Sequence, residues 1–431
     1  MRRILLRILL RRENELASLY ASASDKWAIA LCGVEILALT SHSLLLYNEA
    51  TKPDFFYLIS TVITGAAIGL RGWQEPTNWA FYSIGWCLEL FVAQVLGFGE
   101  RSTIRIVVAN IGLGLGSQLF GEWWKRKYNL AKLPDSLHVL PLFYGAFSIL
   151  LRLDTFGSWT GLYSLGVALI ITGVGKRHQA LKPLLYLGLI GVSLSLYELL
   201  LYQMLQKTGG NLGDGLIAMS ALGASIMYAY RLLSPWLIKY LRLTPAELKA
   251  VANFHWVWSS GLLISAISYP IQINRLLGLG TGAFLIRYAI FQGRNQVSEP
   301  IRGLNISLGE FWVYLGLLEF MFMRVYWRET AVGKFIAGPL VPWNAAVACI
   351  FAYFLFILPW ERWGWSKRSW RLTAYIFPLI VIWESWRLAN PIAIVIAALF
   401  YSLLAKLNEN WRFTYISVAL IDLTLCDGSR L

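Results

Sequence analysis

One segment of this chain is written four times, and its recurrence limits the fold more than any other feature. The copies read WAFYSIGWCLELFVAQVLGF, LLYLGLIGVSLSLYELLLYQML, EFWVYLGLLEFMFMRVYW and WRFTYISVALIDLTLC. Each sets one acid inside an apolar run: Glu89, Glu198, Glu319 and Asp422. Self-similarity along a chain marks a protein built from like units, and missing it misreads the whole fold.

With this segment named helix c, the other apolar runs fall into step. Helix a covers 27–47, 137–151, 251–269 and 372–386, and helix b covers 55–70, 158–175, 276–291 and 391–405. Helix c itself covers 79–98, 183–205, 308–326 and 411–426, and helix d covers 104–120, 214–230 and 341–358. Most of these runs approach the roughly 20 residues that cross a bilayer core. Shorter ones such as 137–151 can tilt or thin the bilayer locally. The expected fold is all-α, a polytopic membrane protein of about fifteen spans. Its parts are a basic amphipathic arm at 1–26, four-helix repeats at 27–121, 137–233 and 251–359, and an incomplete three-helix repeat at 370–426.

Composition agrees with a bilayer as solvent. The 431 residues are 57% hydrophobic and 14% charged, more apolar surface than a water-soluble domain of this size can bury. The net charge of +14 would suggest nucleic acid in a soluble protein. Here most of the 38 Lys and Arg fall on one side of the membrane if the first helix a starts in the cytoplasm, which is the positive-inside pattern. The expected location is a bacterial inner or internal membrane, with a cytoplasmic amino terminus, cytoplasmic loops at 122–134 and 360–370, and no nucleic-acid partner. Expected partners are the bilayer itself and other membrane proteins.

The arm MRRILLRILLRREN carries arginines every few residues and no clean cleavage site, so it does not read as a signal peptide. As a helix it sets Arg3, Arg7 and Arg11 on one face, suited to anionic lipid headgroups. A disordered basic arm that only sets topology is the alternative. Cys32, Cys87, Cys349 and Cys426 lie in or beside spans without a CxxC pair, and read as small core residues. His42, His138, His178 and His255 have no ligand spacing, so no metal site is expected. Among the 20 Trp, Trp123, Trp124, Trp236, Trp360, Trp363, Trp365 and Trp370 gather at inner span ends, as an aromatic belt does.

Ionisable groups within spans are expensive and mark the candidate sites. The helix c acids lead, either as neutral acceptors of interhelical hydrogen bonds or as carriers of protons or cations. Arg287 in GTGAFLIRYAIFQGR either snorkels inward or reaches Glu319. Glu35 and His42 are seven apart and share a helix face. Helix d reads VVANIGLGLGSQLF in its first copy, where Gly112 and Gly116 invite close helix contact. Its glycines follow no soluble strand, so they are not a nucleotide loop. No Ser/His/Asp set, retaining carboxylate pair or paired broken helices is legible, and no cofactor or catalytic residue is expected.

The patterns YELLLYQ around Glu198 and LLEFMFM around Glu319, with short basic connections, resemble those of large repetitive multi-spanning bacterial membrane proteins of uncharacterised function. That resemblance covers the whole chain and brings no catalytic residues with it. Three functions fit: a structural or accessory membrane component without its own chemistry, a transporter or channel using the helix c acids, and a membrane enzyme of envelope polysaccharide or lipid assembly. The first is the leading expectation, because the loops are short and the motifs of the others are missing.

Overall fold

The structure, a computed structural model, describes residues 15–73, 77–99, 101–129, 132–177, 179–206, 210–294 and 306–428. Residues 1–14 of the expected arm at 1–26 lie outside these, as do His178 and the side chain of Cys426. Among the described residues the chain is helical throughout, with no β-strand.

By contact the chain divides into two units, Met1–Lys207 and Thr208–Leu431. The first holds α1 (Glu15–Tyr47), α2 (Phe55–Gly72), α3 (Asn78–Gly97), α4 (Thr103–Lys127), α5 (Ser136–Leu150), α6 (Thr160–Gly175) and α7 (Lys182–Gln206). The second holds α8 (Leu212–Leu232), α9 (Ser234–Leu241), α10 (Pro245–Ala266), α11 (Arg275–Gln292), α12 (Leu308–Phe322) and α13 (Arg324–Trp327). It continues with α14 (Ala331–Ala337), α15 (Asn344–Ile357), α16 (Lys367–Ser385), α17 (Pro391–Leu407) and α18 (Arg412–Gly428).

Local chemistry sets the helix starts. Asp54 accepts the Phe56 N–H at 3.0 Å, and Thr77 accepts that of Ala80 at 3.3 Å. Capping boxes open α10, with Thr244 and Glu247, and α12, with Ser307 and Glu310. One expected boundary moves. The helix that carries the first expected span begins before 27, because α1 runs unbroken from Glu15 with no proline to stop it.

Within each unit the same pairings recur. Helices b and c pack as α2 on α3, α6 on α7, α11 on α12 and α17 on α18. Helix d packs on the following helix a, as α4 on α5, α8 on α10 and α15 on α16. The division at 207 therefore falls inside the expected second repeat, and α8 joins the helices that follow it.

Close approach is concentrated in the α6–α7 seam rather than at Gly112 and Gly116. A Cβ at either of those two would meet open space, since both turn away from neighbouring helices, whereas one at Gly114 would meet Ile170 Cδ1 at 2.5 Å. At Gly188 of α7 a Cβ would lie 2.8 Å from the Thr172 backbone nitrogen, and at Gly175 of α6 it would lie 2.8 Å from Leu185 Cα. Only glycine lets these two backbones come so near.

Among the described residues six helices are long and apolar enough to cross a membrane by length and composition, or seven if the bent pair Ala331–Ala337 and Val341–Ile357, which turns by 66°, is one span. The expected fifteen include helices of 14–17 residues, which rise about 21–26 Å against a hydrocarbon core of about 30 Å. The interior mixes apolar cores, as at Ile170, Leu185, Leu263 and Leu285, with small polar residues, and large apolar residues also lie on the surface. Ser136, Ser148, Ser195, Ser220 and Ser259 are fully buried, while Leu37, Ile63, Phe254, Val257 and Ile350 stand exposed.

Candidate functional site

Glu89 lies on the buried face of α3 that also carries Ala80, Ser83, Cys87, Ala93 and Gln94, and it is 4% exposed. Asn110 of α4, fully buried, donates its amide to Glu89 Oε1 at 2.7 Å and to the Ile106 carbonyl of its own helix at 3.0 Å. Glu89 Oε2 and Asn110 Oδ1 are buried without a partner among the described residues. The α3 backbone is gripped one turn to either side. Tyr144 of α5 donates to the Gly85 carbonyl at 2.6 Å, and Tyr47 of α1 donates to the Ala93 carbonyl at 2.9 Å. Three helices thus clamp the turn of α3 that bears the acid.

Glu198 sits in a different setting. It is half-buried on α7, where the Ser164 hydroxyl of α6 donates to its Oε2. Arg152, past the end of α5, donates to Ser164 Oγ and, at 2.8 Å, to the Thr160 carbonyl. A serine therefore relays between cation and carboxylate.

Glu319 is the most buried helix c acid, 2% exposed on α12. The Ser260 hydroxyl of α10 lies beside it, and Glu319 Oε1 has no partner among the described residues. Around it α10 is tied to its neighbours through polar groups. Ser220 donates to the Ser259 carbonyl at 2.8 Å, Trp256 to the Leu285 carbonyl at 2.9 Å, and Tyr326 to the Leu263 carbonyl at 2.6 Å.

Two expectations need correction here, and for Arg287 one of two alternatives falls away. Asp422 is exposed on α18 rather than facing a helix, because the inward stripe of that helix runs through Ser417 and Leu420. Arg287 does not meet Glu319. It stands exposed with its guanidinium 5.7 Å from the Phe291 ring, on the face of α11 opposite the buried Leu285, Tyr288 and Ala289. The Trp belt is also partly an interior feature: Trp124, Trp360 and Trp370 are buried, and Trp360 stacks on Trp370 at 3.9 Å. Glu35 is half-buried, while His42 is buried and stacks on Tyr57 of α2 at 3.5 Å.

Several structural polar residues escape a reading by motif. Asp214 of α8 accepts the backbone N–H groups of Gln272, Ile273 and Asn274 at 3.2, 3.1 and 2.8 Å, and so fastens the turn that opens α11. Arg177 donates to the carbonyls of Leu137 at 2.7 Å and Gln118 at 2.9 Å, and faces Glu122 at 3.4 Å. The Leu137 carbonyl is free because Pro141, four residues on, has no N–H to offer it. That proline inside an apolar run was the available signal for Arg177; a lone Asn amid VVANIG was the signal for Asn110. Among the described residues no three His, Cys, Asp or Glu side chains converge.

No family model matches this chain, and neither a curated protein nor a solved structure shows significant similarity to it.

Proposed function

We propose that the chain is an integral membrane protein that serves as a structural or accessory component of a bacterial inner or internal membrane, with no chemistry of its own. On this reading about fifteen helices cross the bilayer and the amino terminus is cytoplasmic. Large apolar side chains turned outward and serines turned inward support a lipid solvent. The recurring helix pairings support a repeat in which helix d packs on the next helix a and helix b on helix c.

The observation that carries the functional reading is the enclosure of the deepest acids. Glu89 is held by Asn110 under the Tyr144 and Tyr47 clamps, and Glu319 lies beside Ser260 within the α10 seam. Groups so placed act as interhelical acceptors, each such bond contributing about 0.6–2 kcal/mol in a membrane. Glu89→Gln and Glu319→Gln should then melt like the parent in detergent, and parent and variants in liposomes should show no proton-coupled flux. Flux by the parent that either variant loses while folded would replace this reading.

A transporter is the second reading, favoured by the unpartnered oxygens Glu89 Oε2 and Glu319 Oε1 and by the break between α14 and α15. The liposome experiment separates the two. Orientation is tested at Arg362, exposed in the 360–370 loop, where Arg362→Cys should resist an impermeant thiol reagent applied to intact cells.

A further inference from the structure

The second unit holds an apolar slot of about 390 Å³ between α11, α12, α15 and α16. That volume is within the range of small-molecule sites, roughly 300–1,000 Å³. Its walls include Ile286, Leu317, Met321, Phe351, Ile376 and Ile380. Along α16 it runs from Trp370 to Ile380, about 15 Å by helix rise. It opens sideways on the apolar surface, where Leu318, Phe351 and Ile376 are exposed. None of the helix c acids lines it.

A second cavity, of about 370 Å³, is polar, and Arg324, Val325, Arg328, Trp383 and Glu384 line it. Helix register places it at one end of the slot. On one wall Met321 is followed a turn later by Arg324 and Val325, and a turn after that by Arg328. On the other wall Ile380 is followed a turn later by Trp383 and Glu384. Both walls therefore pass from apolar to charged at the same level. Slot and mouth form one amphipathic groove.

The charges of the mouth do not cancel. Arg324 pairs with Glu384. Arg328 has no acidic partner among the described residues, and the acid next to it in sequence, Glu329, faces Arg275 and Lys334, each at 4.0 Å. The mouth is left with one guanidinium in excess, a planar fork that suits a phosphate or carboxylate. Its only acid is already engaged, so a second cation gains nothing there. The Trp383 ring is largely exposed at the end of α16, where an indole sits at the headgroup level of a bilayer.

We infer that this groove binds a monoanionic glycerophospholipid, with one acyl chain in the slot and the phosphate on Arg328. The second chain stays in the bilayer beyond the side opening. The slot supplies apolar burial, the unpaired guanidinium selects a negative headgroup, and the Arg324–Glu384 pair leaves no acid for the cation of a zwitterionic one. This inference rests on the membrane reading above, but not on whether the protein also transports a solute.

The test uses the full chain in neutral detergent, melted with phosphatidylglycerol or with phosphatidylcholine of the same acyl chains. Phosphatidylglycerol should raise the melting temperature by about 3 °C more than phosphatidylcholine does. Arg328→Gln should weaken the phosphatidylglycerol response about tenfold in concentration, the loss of a charged hydrogen-bond donor. Glu384→Gln frees Arg324 and should enlarge the difference between the lipids. Lys406→Gln, exposed in the last turn of α17, removes the same charge elsewhere and should leave the difference intact. Native mass spectrometry of the parent should retain a phosphatidylglycerol adduct, a readout that needs no variant to fold. Equal responses to the two lipids, an undiminished response in Arg328→Gln, an equal loss in Lys406→Gln, a smaller difference in Glu384→Gln, an equal shift with inorganic phosphate alone, or no retained adduct would each overturn the proposal. Release of the chain from membranes by alkaline carbonate would overturn the membrane reading as well; lipid-indifferent melting of a carbonate-resistant chain overturns only the lipid site.

Discussion

The two units carry the same mark in sequence, an acid in each helix c, and treat it in opposite ways at their ends. In the first unit Glu89 is bonded to an amide and Glu198 is joined to Arg152 through Ser164. In the second, Glu319 is buried beside a serine hydroxyl and Asp422 stands exposed on α18. What differs is the neighbouring helix. Glu89 meets the fully buried Asn110 of α4, whereas Asp422 belongs to a helix whose main packing partner is α17 alone. A repeated acid is thus a repeated opportunity, and the helix opposite decides what becomes of it.

The strongest way to break this contrast is at the closest seam of the first unit. Gly188→Val should destabilise by about 3 kcal/mol, because the Thr172 backbone cannot retreat, while Gly112→Val on the open face should stay within about 0.5 kcal/mol. Thermal unfolding in detergent reads both, and equal losses would mean that the α6–α7 contact is not as drawn. Next in size, Arg177→Ala should cost on the order of 2–3 kcal/mol, since it leaves the Leu137 and Gln118 carbonyls and Glu122 without their donor. A loss below about 0.5 kcal/mol would place Arg177 at a solvated surface instead.

Smaller effects sharpen the comparison between the acids. Glu89→Leu should cost about 1 kcal/mol, and Glu89→Gln almost nothing, because an amide keeps the shape and bonding of a neutral acid. Asp422→Leu should be neutral within about 0.5 kcal/mol or mildly stabilising in lipid, since the carboxylate faces outward. A cost for Asp422→Leu as large as for Glu89→Leu would show that Asp422 has a helix neighbour in the assembled membrane. The ion pair between Arg324 and Glu384 is half-exposed on both sides, so Arg324→Gln should change stability least of all.

Much of the architecture was legible because a bilayer-like pattern is a local property. Runs of apolar residues, broken by short basic connections, mark helices wherever the chain goes, and the described residues are helical with no strand among them. The acids were legible for the same reason: a charge inside an apolar run is conspicuous by itself. Their partners were not. Asn110 is one amide among small residues, Asp214 bonds a turn some sixty residues away, and Ser260 is one of two adjacent serines. Gly112 and Gly116 look like a contact motif, yet Gly114 between them makes the contact, because helix rotation about its axis is not written in the spacing of glycines.

The sequence alone determined that this chain is helical, where its helices lie, and which turns hold a charge, since hydrophobicity and backbone propensity act over neighbouring residues. The tertiary structure alone decided which acid is enclosed, and that α8 packs with the helices after it. Those outcomes depend on which face of one helix meets another, and such meetings are set by the summed packing of side chains distant in sequence.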